Sequence, residues 1–240
     1  MERPYKIFQS AQELAEAFAL ELVAGINVAV ENKSPFTIVL SGGSTPALLY
    51  SVLAEKYGRK TDWRTVHFFW GDERCVPPRH PESNYGLASR LLLDILDVPP
   101  RNIHRIRGED IPEKEAVRYS DEILANTRNL NGIPVFDHVI LGMGEDGHTV
   151  SIFPGNNELL TMDKICDVAV HPSSGQKRIT ITGKVINNSD NVSFLVTGHS
   201  KATAVEQILK KKIDFPAYAI IPVHGNLTWF LDKDAAEFIR

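Results

Sequence analysis

The sequence predicts an α/β fold with a mostly parallel sheet and helices on both faces, and three observations carry that prediction. Strand-like and helix-like stretches alternate along the chain, the pattern of a parallel sheet joined by crossover helices. Strand candidates such as Phe36–Leu40 and Val139–Leu141 are unbroken apolar runs, as buried strands are. The four sharpest motifs, Ser41–Pro46, Gly71–Pro77, Gly142–His148 and Gly198–Ala202, each sit where a predicted strand ends. In open α/β sheets that is where ligands bind.

The elements follow in order. Tyr5–Phe8 is a candidate edge strand. Ser10 and Glu13 form a capping-box signature, and Leu14, Ala17, Phe18, Leu22 and Ile26 recur at helical spacing from Ala11 to about Asn32, before Ser34-Pro35. The strand Phe36–Leu40 runs into Ser41–Pro46, and a helix follows from Ala47 to about Tyr57, ended by Gly58. The strand Val66–Trp70 leads into a loop, Gly71–Pro78, that continues to Ser83-Asn84. Ser83 caps a helix covering Leu87 to Ile95, which Val98-Pro99-Pro100 ends. Ile103–Ile106 is short and extended, and a charged helix spans about Pro112 to Leu130, stopped by Asn131-Gly132. Val139-Ile140-Leu141 then enters the Gly142–His148 loop. Strands at Cys166–Val170, Arg178–Thr182 and Val192–Thr197 come next, the last entering Gly198–Ala202 and a helix to about Leu209. Ala219–Val223 and Leu227–Leu231 close the chain as strands.

With no repeat, low-complexity tract or Gly/Ser-rich linker, residues 1–240 read as a single domain. The composition, 43% hydrophobic and 23% charged, is that of a soluble globular protein. The net charge is −4, and Lys210-Lys211-Lys212 is too short for a nucleic-acid footprint and suits a helix C-terminus. Nucleic acid is therefore not an expected partner, and an anionic substrate would be held by a few placed cations. Cys75 and Cys166 give neither metal-site spacing nor a disulfide framework. The N-terminus has no leader pattern and no apolar run approaches bilayer length, so the expected compartment is the reducing cytoplasm, away from membranes.

The strand-end motifs carry the chemistry. In Ser41-Gly42-Gly43-Ser44-Thr45-Pro46, Gly42 and Gly43 allow the backbone close to a ligand, free N–H groups at the helix start attract an anion, and Ser44 and Thr45 add hydroxyl donors. A tight turn with Pro46 at the first helical position would explain the same residues. Asp72-Glu73-Arg74 sets two acids beside a permanent cation; Arg74 suits a bidentate grip on phosphate or carboxylate, and a solvated turn with internal ion pairs is the plainer alternative. Glu145-Asp146-Gly147-His148 is the acid–base candidate, because His titrates near neutrality and a neighbouring carboxylate can hold its tautomer. The competing reading has His148 capping a short helix after Gly147 while the acids face water. Lys201 stands against a helix dipole, which a bound anion would offset; a lysine that snorkels to solvent is the plain alternative. Arg178 starts a strand as a further cation, and the residues alone favour a surface charge over an anion ligand. Cys75 has no base near it in sequence, and no G-x-S-x-G elbow is present. No convergent His or Cys set points to a metal.

These motifs, in this order and across most of the chain, resemble the glucosamine-6-phosphate isomerase/6-phosphogluconolactonase family, and its lactonase branch in particular. The resemblance rests on Ser41–Pro46, on Asp72-Glu73-Arg74-Cys75-Val76-Pro77 with Ser83-Asn84-Tyr85, on Leu141 to Pro154, on Arg178-Ile179-Thr180 and on Gly198–Ala202. The deaminase branch resembles the chain at Gly42–Pro46 and Asp146–His148, but has Asp-Glu-Tyr where Arg74 stands and Asn-Glu-Pro where this chain has Phe153-Pro154. Val150 departs from the family's frequent Ala. The resemblance implies a modified Rossmann-like sheet of the glucosamine-6-phosphate deaminase/ribose-5-phosphate isomerase type. It also implies hydrolysis of 6-phospho-D-glucono-1,5-lactone to 6-phosphogluconate in the oxidative pentose phosphate pathway, without metal or organic cofactor, by a monomer or weak homo-oligomer.

Hydrolysing a δ-lactone needs an activated water, donors for the developing oxyanion and a clamp on the distal phosphate. The roles that follow are His148 as general base, oriented by Asp146 or a backbone carbonyl, with Gly42 and Gly43 N–H groups at the oxyanion or ring oxygen. Arg74 would steady the lactone end or the developing negative charge. Ser44, Thr45, Arg178 and Lys201 would hold phosphate, and Asp72 completes the substrate-binding set. The alternatives are a deaminase or isomerase on the same fold, with Asp72 shuttling a proton, and a non-catalytic sugar-phosphate sensor.

Overall fold

A computed structural model describes residues 3–240. Its elements are β1 (Tyr5–Phe8), α1 (Ala11–Glu31), β2 (Phe36–Leu40), α2 (Ser44–Tyr57), β3 (Val66–Trp70), β4 (Asp72–Arg74), α3 (Asn84–Ala88), α4 (Pro112–Asn126), β5 (Arg128–Leu130), β6 (Ile133–Val135), β7 (His138–Leu141), α5 (Glu158–Thr161), β8 (Cys166–Val170), β9 (Lys177–Ile181), α6 (Gly183–Asn187), β10 (Asn191–Val196), α7 (Ala202–Leu209) and β11 (Asn226–Asp232).

The apolar runs become the inner strands of the main sheet. Six strands lie in the order β1-β11-β10-β7-β2-β3, and every neighbouring pair is parallel. β2 is buried at all of its positions, as a strand covered on both faces must be. The helical stripe of α1 supplies part of that cover through Leu14, Phe18, Leu22 and Ile26, all buried. Its start follows the capping signature, with a shift: Ser10 Oγ accepts the Glu13 N–H at 3.2 Å, while the Glu13 carboxylate accepts the N–H of Gln9, not of Ser10, at 2.9 Å. The strand order reverses between β2 and β7: β3 lies beyond β2, and β10 and β11 lie beyond β7. Such a switch point opens a crevice at the strands' carboxyl ends. Among the described residues no helix is long and apolar enough to cross a membrane.

The structure corrects several expectations. Asp72–Arg74 is not loop but strand β4, part of a second, antiparallel sheet in the order β4-β9-β8. Gly71 joins the two sheets: its N–H bonds Leu40 O and its carbonyl accepts from Ile181 N–H, both at 2.9 Å. The charged helix stops at Asn126, where Thr127 turns extended. Arg128–Leu130 instead pairs with β6 around Asn131-Gly132, both at positive φ, the type I′ hairpin that Asn-Gly favours. Ala219–Val223 forms no strand. The Ile221 and Val223 N–H groups bond Asn187 Oδ1 and Asn187 O, each at 2.7 Å, and Pro222 has no N–H for a ladder. The helix after Ser83 begins at Asn84 and passes into a π-helical turn over Ser89–Leu93, and α2 begins at Ser44 rather than Ala47.

Candidate active site

The residues singled out from sequence converge on one cavity at the carboxyl ends of β2, β7 and β10. It measures about 280 Å³, and Gly42, Gly43, Ser44, Thr45, Asp72, Arg74, His148, Arg178 and Lys201 all line it. Asp146 does not; it stands beside His148.

The turn after β2 is shaped for close approach. A Cβ on Gly42 would lie 1.8 Å from Asn84 Oδ1, so only glycine lets that carboxamide sit against the turn. Tyr50 on α2 staples the turn, its hydroxyl donating to Ser41 O at 2.6 Å and accepting the Ser41 N–H at 3.2 Å. Gly43 is the N-cap of α2 and offers no side-chain cap, so the helix's first-turn N–H groups are left for an anion. Pro46 is the third helical residue, not the first. The Thr45 and Thr197 hydroxyls, 2.7 Å apart, tie this turn to the end of β10.

The loop after β7 presents a paired histidine. His148 Nδ1 lies 2.6 Å from Asp146 Oδ1. A carboxylate only accepts, so Nδ1 carries a proton, and in the neutral imidazole the lone pair is on Nε2. Partial burial works against ionisation of Asp146, but the adjacent His148 and its hydrogen bonds outweigh it and hold the carboxyl below its ordinary value. No helix follows Gly147. The loop closes on itself through Gly144 N–H to His148 O at 2.9 Å, Gly147 N–H to Gly144 O at 3.1 Å and Thr149 Oγ1 to Gly142 O at 2.9 Å. Val150 is buried at φ +46°, a conformation that costs a β-branched residue on the order of 1–3 kcal/mol.

The second sheet supplies the arginines. Its register sets Arg74 directly opposite Arg178. Like charges so placed repel, which an anion between them would relieve. The Nε atoms of both are buried with no hydrogen-bond partner among the described residues. Burial pulls the Arg178 pKa down; Asp72, 3.9 Å away, opposes that and Arg74 reinforces it. Asp72 is a junction: Oδ2 accepts from Ser151 Oγ at 2.6 Å and Oδ1 from Asn84 Nδ2 at 3.1 Å. Glu73 is buried and takes the N–H groups of Arg74, Asn84 and Tyr85 and the Ser83 hydroxyl, capping α3; burial raises its pKa against those bonds. Lys201 reaches the cavity from a 3₁₀ turn whose leading Gly198 N–H is held by both Asp232 carboxylate oxygens at 3.0 Å.

Sequence reasoning did not assign Asn84, Ser151 or Thr197 to the site. Asn84 follows a helix cap, Ser151 lies in an apolar patch and Thr197 ends a strand, so each had a plain local reading.

Residues 9–229 match the model of the family described as glucosamine-6-phosphate isomerases/6-phosphogluconolactonase. The chain belongs to this family. Within it, the chain is 41% identical over 239 residues to 6-phosphogluconolactonase of Aggregatibacter actinomycetemcomitans, covering 98% of this chain and 99% of the relative. A crystal structure of a protein called devB superposes with a TM-score of 0.93 at 41% identity, covering 99% of both chains. The structure of 6-phosphogluconolactonase from Trypanosoma cruzi gives a TM-score of 0.87 at 32% identity, covering 99% of this chain and 97% of that one. The modified Rossmann-like fold of the family is thus the fold of this chain.

Proposed function

We propose that this chain hydrolyses 6-phospho-D-glucono-1,5-lactone to 6-phosphogluconate, the lactone step of the oxidative pentose phosphate pathway. The observation that carries the reading is one cavity holding both a histidine with Nε2 free and two arginines whose Nε atoms lack partners. Acid–base chemistry and anion binding meet there, as a phosphorylated lactone requires. The names of the relatives supply the substrate.

In this mechanism Nε2 of His148 takes a proton from water as the water oxygen attacks the lactone carbonyl carbon. The Asp146 carboxylate holds the imidazole's orientation and balances the imidazolium. The carbonyl oxygen becomes an oxyanion, met by Gly42 and Gly43 N–H groups and by Arg74. Collapse breaks the bond from the carbonyl carbon to the ring oxygen, which receives the proton from Nε2. Arg178, Lys201 and the Ser44 and Thr45 groups at the start of α2 hold the phosphate. Asp72 keeps the arginine side of the cavity in place through Ser151 and Asn84. A sugar-phosphate isomerase would need Asp72 free to shuttle a proton, whereas both its oxygens are engaged. We further propose that residues 1–240 act as one cytoplasmic domain, monomeric or weakly oligomeric, with no organic or metal cofactor and no nucleic-acid or membrane partner.

The test is a coupled assay on freshly generated lactone, with glucosamine 6-phosphate in parallel. Wild-type protein should consume the lactone above its spontaneous rate and release no ammonia from the amino sugar. His148→Ala should lose roughly 10²–10⁴ in kcat. A His148→Ala variant with near-normal turnover would eliminate the base assignment.

A further inference from the structure

Phe153 is 1% exposed, and the mechanism above does not use it. Its ring nonetheless meets the two halves of that mechanism. The ring centroid lies 4.8 Å from that of His148, at an interplanar angle of 51°. The Arg178 guanidinium carbon stands over the same ring, 5.7 Å from its centroid. His171 packs against it edge-to-face at 5.0 Å. The geometry points to Phe153 as a positioning residue whose electron-rich ring holds His148 and Arg178 in register, Arg178 over its face and His148 packed against it at a tilt. The inference rests on the roles proposed for those two residues.

His148 has one polar anchor for its ring, and that anchor is weakly fixed: the Asp146 side chain is 47% exposed. A hydrogen bond at Nδ1 sets one point of the imidazole, and contact with a buried ring sets its plane. Arg178 has the complementary need. Burial and the opposing Arg74 both disfavour its charge, its Nε has no partner among the described residues, and Asp72 at 3.9 Å is beyond hydrogen-bond reach. An aromatic face within about 6 Å of a guanidinium offsets such a deficit. His171, the third neighbour of the Phe153 ring, is itself tied down. His171 Nδ1 accepts the N–H groups of Ser173 and Ser174, each at 3.2 Å, so its ring is pinned to the β8–β9 hairpin that carries Arg178.

The ring's contribution also changes during turnover. When His148 takes its proton it becomes a cation beside an electron-rich ring, an attraction absent in the neutral ground state. Only interactions that strengthen towards the transition state raise kcat. Phe153 therefore acts on kcat through His148 and on KM through Arg178.

Fluorinated phenylalanines test this, because fluorination drains the ring's negative face while nearly preserving its shape. Phe153 is replaced by mono-, di- and pentafluorophenylalanine, and kcat and KM for the lactone are measured beside thermal melts. Across the series kcat should fall in steps, reaching roughly five- to thirty-fold for the pentafluoro ring, with KM rising in parallel. Phe153→Leu, which removes the ring, should fall at or below the pentafluoro point. Flat kcat and KM across folded fluorinated variants would overturn the inference, since packing alone does not sense ring charge. Should the pentafluoro variant fail to fold, the step from mono- to difluoro decides by the same criterion. Wild-type protein without lactone turnover would instead overturn the functional reading; turnover with a flat series overturns only the role of Phe153.

Discussion

Gly144→Ala separates the geometry of the His148–Asp146 pair from its chemistry, because it changes neither residue. A Cβ on Gly144 would lie 2.1 Å from His148 Nδ1, 2.3 Å from Cε1 and 2.5 Å from Asp146 Oδ1. Ordinary contact begins near 3.5 Å, so the imidazole must retreat by about 1.4 Å. The atoms in the way belong to side chains that can swing aside, so the fold is spared. Gly144 is not among the residues at positive φ, so alanine fits its backbone and gains about 0.4–1 kcal/mol by restricting the unfolded chain. Misplacement by about 1 Å costs on the order of a hundredfold in rate. The expected result is a folded protein with kcat down about a hundredfold and 6-phosphogluconate affinity within about threefold of wild type, since the cations proposed to hold phosphate are untouched. The assay is proton release from fresh lactone over the spontaneous rate, with circular dichroism melts and calorimetric binding of product. A folded Gly144→Ala protein with wild-type kcat would refute the argument that the loop's backbone approach positions the base.

Two further outcomes follow from charge and burial. His138 is half-buried at the start of β7, and desolvation pulls its pKa from 6.5 to about 4. The unfolded chain then binds more protons than the folded one between those values, so stability falls as pH drops through that window. The loss between pH 7 and pH 5 should be about 2 kcal/mol, read by urea unfolding at both pH values. His138→Gln should remove that slope, and an unchanged slope refutes the assignment. The arginine pair should divide its work: Arg178→Met raises KM and Arg74→Met lowers kcat, each roughly ten- to hundredfold. Steady-state kinetics showing the reverse division would exchange the two roles.

The main sheet and most of the candidate site were legible because their signals are local. A buried parallel strand is an apolar run, and Phe36–Leu40 and His138–Leu141 needed no tertiary knowledge. Gly42, Gly43, Ser44, Thr45, Asp146, His148 and Lys201 sit at strand ends, where composition already marks a turn. The antiparallel sheet was hidden. β4 has three residues and begins one residue after β3, too short for any period to register. Its partner β9 was visible as a strand but not as its neighbour, so Arg74 and Arg178 could be named as separate cations and not as a facing pair. The helix end at Asn126 was missed for another reason: the charged pattern runs on, while the Asn-Gly turn draws Arg128–Leu130 into a hairpin.

The same hidden sheet explains why the loop after β7 carries a strained valine. Val150 at φ +46° stands between His148, which lines the cavity, and Ser151, whose hydroxyl bonds Asp72 on β4 at 2.6 Å. The left-handed step at Val150 lies on the path that joins the two. Its cost, on the order of 1–3 kcal/mol, has to be met by what the step permits. Ser151 is fully buried and also donates its backbone N–H to Thr180 Oγ1 at 3.3 Å, so two bonds fasten the loop to β4 and β9 at once. The candidate acid–base loop of the parallel sheet and the arginine strands of the small sheet are thereby tied together. No stretch of sequence states that link, because it consists of a serine in an apolar run, an aspartate in a short strand and a backbone angle between them.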